Sequence, residues 1–171
     1  KMLHDKSVFD ATAQSGGDFG DLPEWDLSDL YSSETALELT HDLEWLNSAC
    51  VNFANDFEGN LALLNSTEML DAVHRYEQID LITGRIMSFA GLRYYQLTID
   101  PNRAKFMSDM QDKITASTTP LVFFSLEFNR LDEANLVALC AQNVDLARYM
   151  PIFKRMRAMK PYQLSDELEK F

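Results

Sequence analysis

Apolar residues along this chain recur in steps of three and four, with polar residues between them, and the rhythm repeats in several separate runs. After Ser33, a residue suited to cap a helix, and Glu34 in the first turn, the apolar positions are Ala36, Leu39, Leu43, Leu46, Cys50, Phe53 and Phe57, the seam of one amphipathic helix. Gly59 supplies a stop, and Ser66-Thr67-Glu68 supplies the next start, with the acid where the helix dipole favours it. This second helix runs to about Thr98 with no proline and only Gly84 and Gly91 to weaken it. At ~1.5 Å per residue it exceeds roughly 40 Å, so it must pack on several neighbours. Asp100-Pro101 restarts the chain, because Asp caps and Pro is preorganised for the first helical position, and a short turn there makes an antiparallel hairpin. Phe106, Met110, Ile114, Leu121, Phe124 and Phe128 continue the third apolar face, with a kink at Pro120 after Ser117-Thr118-Thr119. Asp132-Glu133 opens a fourth helix with Leu136, Leu139 and Cys140. Asp145 opens a fifth through Leu146, Met150, Phe153 and Met156, bent at Pro151, with Lys154, Arg155, Arg157 and Lys160 gathered where a helix C-terminus prefers cations.

Outside these runs the pattern changes. Residues 1–20 are polar and small, interrupted by Gly16, Gly17 and Gly20, and read as a flexible leader or a cloning remnant. Residues 22–31 are too irregular for a long helix, but Trp25, Leu27, Leu30 and Tyr31 equip them as a strap pinned against a core. Residues 164–171 carry a cap, an acidic first turn and apolar positions of a further helix, so residues 21–171 are expected to be one helical domain truncated before more chain. No strand pattern, internal repeat or low-complexity tract competes. The expected fold is all-α, an antiparallel multi-helix bundle with a long helical hairpin.

Size and composition narrow the functional classes. A chain of 171 residues can bury a core without staples. No stretch approaches the roughly 18 consecutive apolar residues of a membrane span, and no secretion signal is evident, so a cytoplasmic protein is expected. Cys50 and Cys140 lie among apolar or small residues at helical spacing, the pattern of buried reduced thiols. A formal net charge of −12 repels nucleic acid and anionic membranes alike, so neither is an expected partner; a field of this sign can draw in cationic peptides, although solubility alone explains such a charge at least as often.

Candidate chemistry is sparse. Glu38 with His41 and Asp71 with His74 repeat the carboxylate-x-x-His step that di-iron bundles use. At 100° per residue, however, Glu38 and His41 lie roughly 100° and 160° from the middle of their helix's apolar stripe, and the second pair is similarly displaced, so both should face water. Glu77, Asp80 and Arg85 interrupt the apolar faces of the second helix and fit either an ion-pair network or part of a binding wall. Met69, Met87, Met107, Met110, Met150, Met156 and Met159 at helical spacing read as core. The three histidines, His4, His41 and His74, cannot form a His-Glu-x-x-His zinc motif, and no nucleophile motif or phosphate loop occurs.

The segment Leu22-Pro23-Glu24-Trp25-Asp26-Leu27-Ser28-Asp29-Leu30-Tyr31 resembles the opening of oligoendopeptidase F and its thimet-oligopeptidase-like relatives. Tyr76-Glu77-Gln78-Ile79, the Tyr94-to-Asp100 junction, Leu126-Glu127-Phe128 and Lys160-Pro161-Tyr162-Gln163-Leu164-Ser165 through Glu169 resemble that family's N-terminal region in the same order. The likeness covers about residues 22–171, and its force lies in order and spacing; Tyr162, where many relatives have His, is a departure. The resemblance implies the N-terminal part of a larger helical peptidase fold. There the helices form one side of a channel for short peptides, while zinc, held in a C-terminal catalytic domain, polarises the scissile carbonyl and a Glu activates water. It assigns no catalytic, cofactor-binding or metal-ligating residue to any position here. The expected partners are that catalytic domain and, for the whole protein, short peptides. A free-standing helical module binding a partner helix or peptide is the alternative, and a metal-containing bundle ranks third. An exposed apolar patch is expected where the rest of the protein docks.

Overall fold

The computed structural model describes residues 25–158, and among these no strand occurs. Helices α1 (Leu37–Phe57), α2 (Ser66–Gln96) and α3 (Pro101–Thr118) form the body, with α1 packed on both α2 and α3. Four shorter helices follow: α4 (Val122–Arg130), α5 (Glu133–Gln142), α6 (Val144–Ala147) and α7 (Met150–Ala158). The expected leader over 1–20 and the helix start over 164–171 lie outside the described residues.

The helix ends show what the apolar rhythm could not resolve. Ser33 does not cap α1: its hydroxyl accepts the Thr35 N–H at 3.3 Å in a local turn, Glu34 turns to Arg93, and α1 begins at Leu37 behind Ala36. The second start is set by Asn65 rather than by Ser66. Asn65 Oδ1 accepts the N–H groups of Thr67 and Glu68, both at 3.0 Å, and Glu68 Oε2 accepts the Asn65 N–H at 2.9 Å. Such a reciprocal box satisfies otherwise orphaned donors, and its cap side chain contributes about 0.5–2 kcal/mol. Asp100 caps α3 with Pro101 at the first position, as its sequence predicts.

The two prolines break their helices differently. Pro120 ends α3 in a single 3₁₀ turn over Thr119–Leu121 before α4 resumes, the expected kink. Pro151 does more than bend the fifth predicted helix. A proline there has no N–H for the Ala147 carbonyl and its ring would clash with it, so the helix stops and restarts as α6 and α7. The chain bridges the gap by donating Arg148 N to Asp145 O and Tyr149 N to Leu146 O, at 3.2 and 3.0 Å. Asn143, not Asp145, caps α6, accepting the N–H groups of Asp145 and Leu146 at 3.0 and 3.2 Å.

The core is aromatic at one end and joins nearly every element. The Phe53 ring, fully buried on α1, has its centroid 4.9 Å from Phe57, 5.9 Å from Tyr76 of α2, and 5.8 and 5.4 Å from Phe123 and Phe124 of α4. From Phe124 the stack continues through Phe128 to Phe153 of α7. Cys50 is buried one turn from Phe53, and burial pushes its thiol up to about 11, consistent with a structural residue. The α1–α2 connection turns at Gly59, whose φ of 81° favours glycine. Glu127 of α4 holds that turn, accepting the N–H groups of Gly59 at 2.6 Å and Leu61 at 3.5 Å. Because Phe53 touches three helices, Phe53→Ala should destabilise the fold by about 3–5 kcal/mol, measured as a lowered urea midpoint with helical circular dichroism retained before the transition.

Candidate functional site

Three ion pairs run along the α1–α2 seam in opposite chain order: Asp56–Arg75 at 2.8 Å, Asp42–Arg85 at 3.2 Å and Glu34–Arg93 at 3.1 Å. Partly exposed pairs of this kind contribute only about 0–1 kcal/mol each, so they act mainly to fix the antiparallel register. Arg85 therefore belongs with Asp42, not with Glu77 or Asp80 as their shared helix invited. It also lies over the Tyr31 ring, 4.3 Å from the centroid, and donates to the Leu30 carbonyl.

Arg85 thus pins the strap. Tyr31, 3% exposed, packs edge-on against Phe89 and donates its hydroxyl to Asp42. Burial first, then the Asp42 hydrogen bond and charge, push its phenol well above the usual range, against a smaller opposing effect of Arg85. Leu27 and Leu30 pack on the core, whereas Trp25 stays 60% exposed and is held through its backbone, whose carbonyl accepts from Gln96 Nε2 at 2.8 Å. Between strap and α2 opens a cleft of about 560 Å³ floored by Phe89 and rimmed by Ser28, Ser32, Glu34 and Arg93.

Glu38, His41, Asp71 and His74 are all exposed, as their angular positions predict. Among the described residues no three His, Cys, Asp or Glu side chains converge as a metal site would require. Glu77 and Asp80 are exposed too; Glu77 accepts the Tyr149 hydroxyl at 2.8 Å, which pushes that phenol up, and Asp80 raises Tyr76 after burial does. Of the methionines expected in the core, Met69 and Met110 are buried and Met87, Met107, Met150 and Met156 pack partly buried against it, while Met159 lies outside the described residues.

Exposed apolar groups gather at the α2–α3 turn: Tyr95 is 64%, Leu97 43% and Ile99 86% exposed, and the Gln96–Trp25 bond brings the exposed indole to the same end. Single exposed apolar residues are ordinary; here three lie within five residues of one turn, and Gln96 in the same stretch holds the Trp25 carbonyl. No described helix is long and apolar enough to cross a membrane.

Among the described residues the fold is all-helical. Residues 127–171 match the family model described as Oligopeptidase F, and the match supports assigning the chain to the N-terminal region of an oligoendopeptidase F-like peptidase. It takes in Glu127-Phe128 and the Lys160–Glu169 segment; the likenesses at 22–31, 76–79 and 94–100 lie outside it. No curated protein and no solved structure gave a significant match.

If Arg85 is the pin of the strap, Arg85→Met should remove a charged hydrogen bond and an ion pair, costing about 1.5–3 kcal/mol. Limited proteolysis should then cut within residues 25–36 before the rest of the domain unfolds.

Proposed function

We propose that this chain is the non-catalytic N-terminal domain of a zinc-dependent oligoendopeptidase, forming one wall of an enclosure that admits short, unfolded peptides. The match over residues 127–171 to the Oligopeptidase F model carries the reading. Its mechanism is steric. A wall of packed helices limits what reaches the reacting centre, while a zinc ion held in another part of the same protein would polarise the peptide carbonyl and a Glu there would activate water.

The α2–α3 end, with Trp25, Tyr95, Leu97 and Ile99 exposed, is the proposed edge on which the zinc-bearing part docks. Burial of such residues contributes roughly 25 cal/mol per Å² of apolar surface removed from water. Two free, buried thiols, Cys50 and Cys140, fit the reducing cytoplasm as the proposed location. A free-standing interaction module would expose the same apolar residues, so the family match favours the peptidase domain.

Mixing this chain with the separately produced part carrying the His-Glu-x-x-His helix tests the proposal. Hydrolysis of a quenched-fluorescent short peptide should require both pieces and be abolished by a zinc chelator, with this chain alone inactive. If the zinc-bearing part cleaves the peptide equally well without this chain, or the pieces fail to associate, the reading is wrong.

A further inference from the structure

A groove of about 180 Å³ lies between α2 and α7, lined by Tyr76, Phe124 and Phe153 together with Tyr149, Ile152 and Met156. Tyr76, half-buried, is held in place by stacking on the buried Phe124 at 4.5 Å, and Ile152 beside it is 40% exposed. Two carboxylates, Glu77 and Asp80, line the same groove. Glu77 is oriented by the Tyr149 hydroxyl at 2.8 Å, and Asp80 has no hydrogen bond or ion pair among the described residues.

A second pocket of about 310 Å³ shares Tyr76 and Asp80 and extends to Thr83, whose buried Oγ1 has no hydrogen-bond partner. By contrast, the hydroxyls of Thr115, Thr118 and Thr119 all return to helix carbonyls. Asp80 lines both cavities and, exposed and without a partner among the described residues, is free to pair with an incoming cation.

Those features define one kind of occupant. The two exposed carboxylates attract a cation with the modest strength of a solvent-accessible charge pair. Aromatic faces attract the same charge and cover a methylene stem. Sites for drug-sized ligands begin near ~300 Å³, so the α2–α7 groove has room for one long side chain rather than a helix. The chain's net charge of −12 draws cations towards it. We propose that the α2–α7 groove binds an arginine or lysine side chain of an extended peptide, its charged head at Asp80 and Glu77 and its stem against Tyr76 and Ile152. The proposal rests on the groove's own geometry and stands whether or not the chain enters a peptidase.

Calorimetric titration of the whole 171-residue chain with acetyl-Ala-Arg-Leu-Ala-amide and with its neutral counterpart acetyl-Ala-Gln-Leu-Ala-amide tests it. The arginine peptide should bind about fivefold more tightly, the range expected of a partly exposed charge pair. That preference should disappear in the double variant Asp80→Asn, Glu77→Gln, whose circular dichroism should match the parent because both residues are exposed. Added salt should shrink the preference in the parent chain. Equal affinity for the two peptides, no binding of the arginine peptide, or an unchanged preference in the double variant would each overturn the proposal.

Discussion

The packing of Phe53 against Tyr76, Phe123 and Phe124 is the contact on which the other elements depend, because one ring on α1 meets both α2 and α4. Helix α4 reaches this point through the kink at Pro120, where α3 gives way to a single 3₁₀ turn. Having arrived, α4 holds the α1–α2 turn with Glu127 and passes the aromatic stack to α7 through Phe128. A long hairpin of α1 and α2 would otherwise have an unsupported end. The cluster makes that end rigid, and the groove beside α7 inherits its walls from the same side chains.

The other end of the body is organised by charge and by a strap. Ion pairs along the α1–α2 seam contribute little stability individually but admit only one register, and the middle pair is used twice, since Arg85 also secures Tyr31 and Leu30. Phe89 meets Tyr31 on one side and Phe106 of α3 on the other, so the strap is continuous with the core. What remains outside that packing is the apolar surface at Tyr95, Leu97 and Ile99.

Much of this was legible in the sequence because periodicity reports burial directly. Leu39, Leu46, Cys50, Phe53 and Phe57 are all buried, and the outward placement of His41 and His74 follows from the same 100° arithmetic. Caps were less legible, since Ser33, Asn65 and Ser66 are all chemically able to cap, and only the path of the chain decides which does. The Pro151 break was underestimated because a proline near a helix start and one inside a helix look alike in a single run. Glu127 and Asp42 were passed over for a different reason: each acts on a partner far away in the chain, although the opposed order of acids on and just before α1 and arginines on α2 was a signal of the seam. For the candidate surfaces, single residues such as Glu77 and Asp80 were visible, but the groove between α2 and α7 exists only once α7 is placed.

The central claim is that a preformed helical wall meets the catalytic part of a peptidase through the α2–α3 end. Amide hydrogen exchange over Gln96–Asp100, compared between this chain alone and the chain bound to its zinc-bearing counterpart, tests that claim most directly. The account predicts markedly slower exchange of the Leu97, Thr98 and Ile99 amides in the bound form. Unchanged exchange at those amides in a formed complex would contradict it.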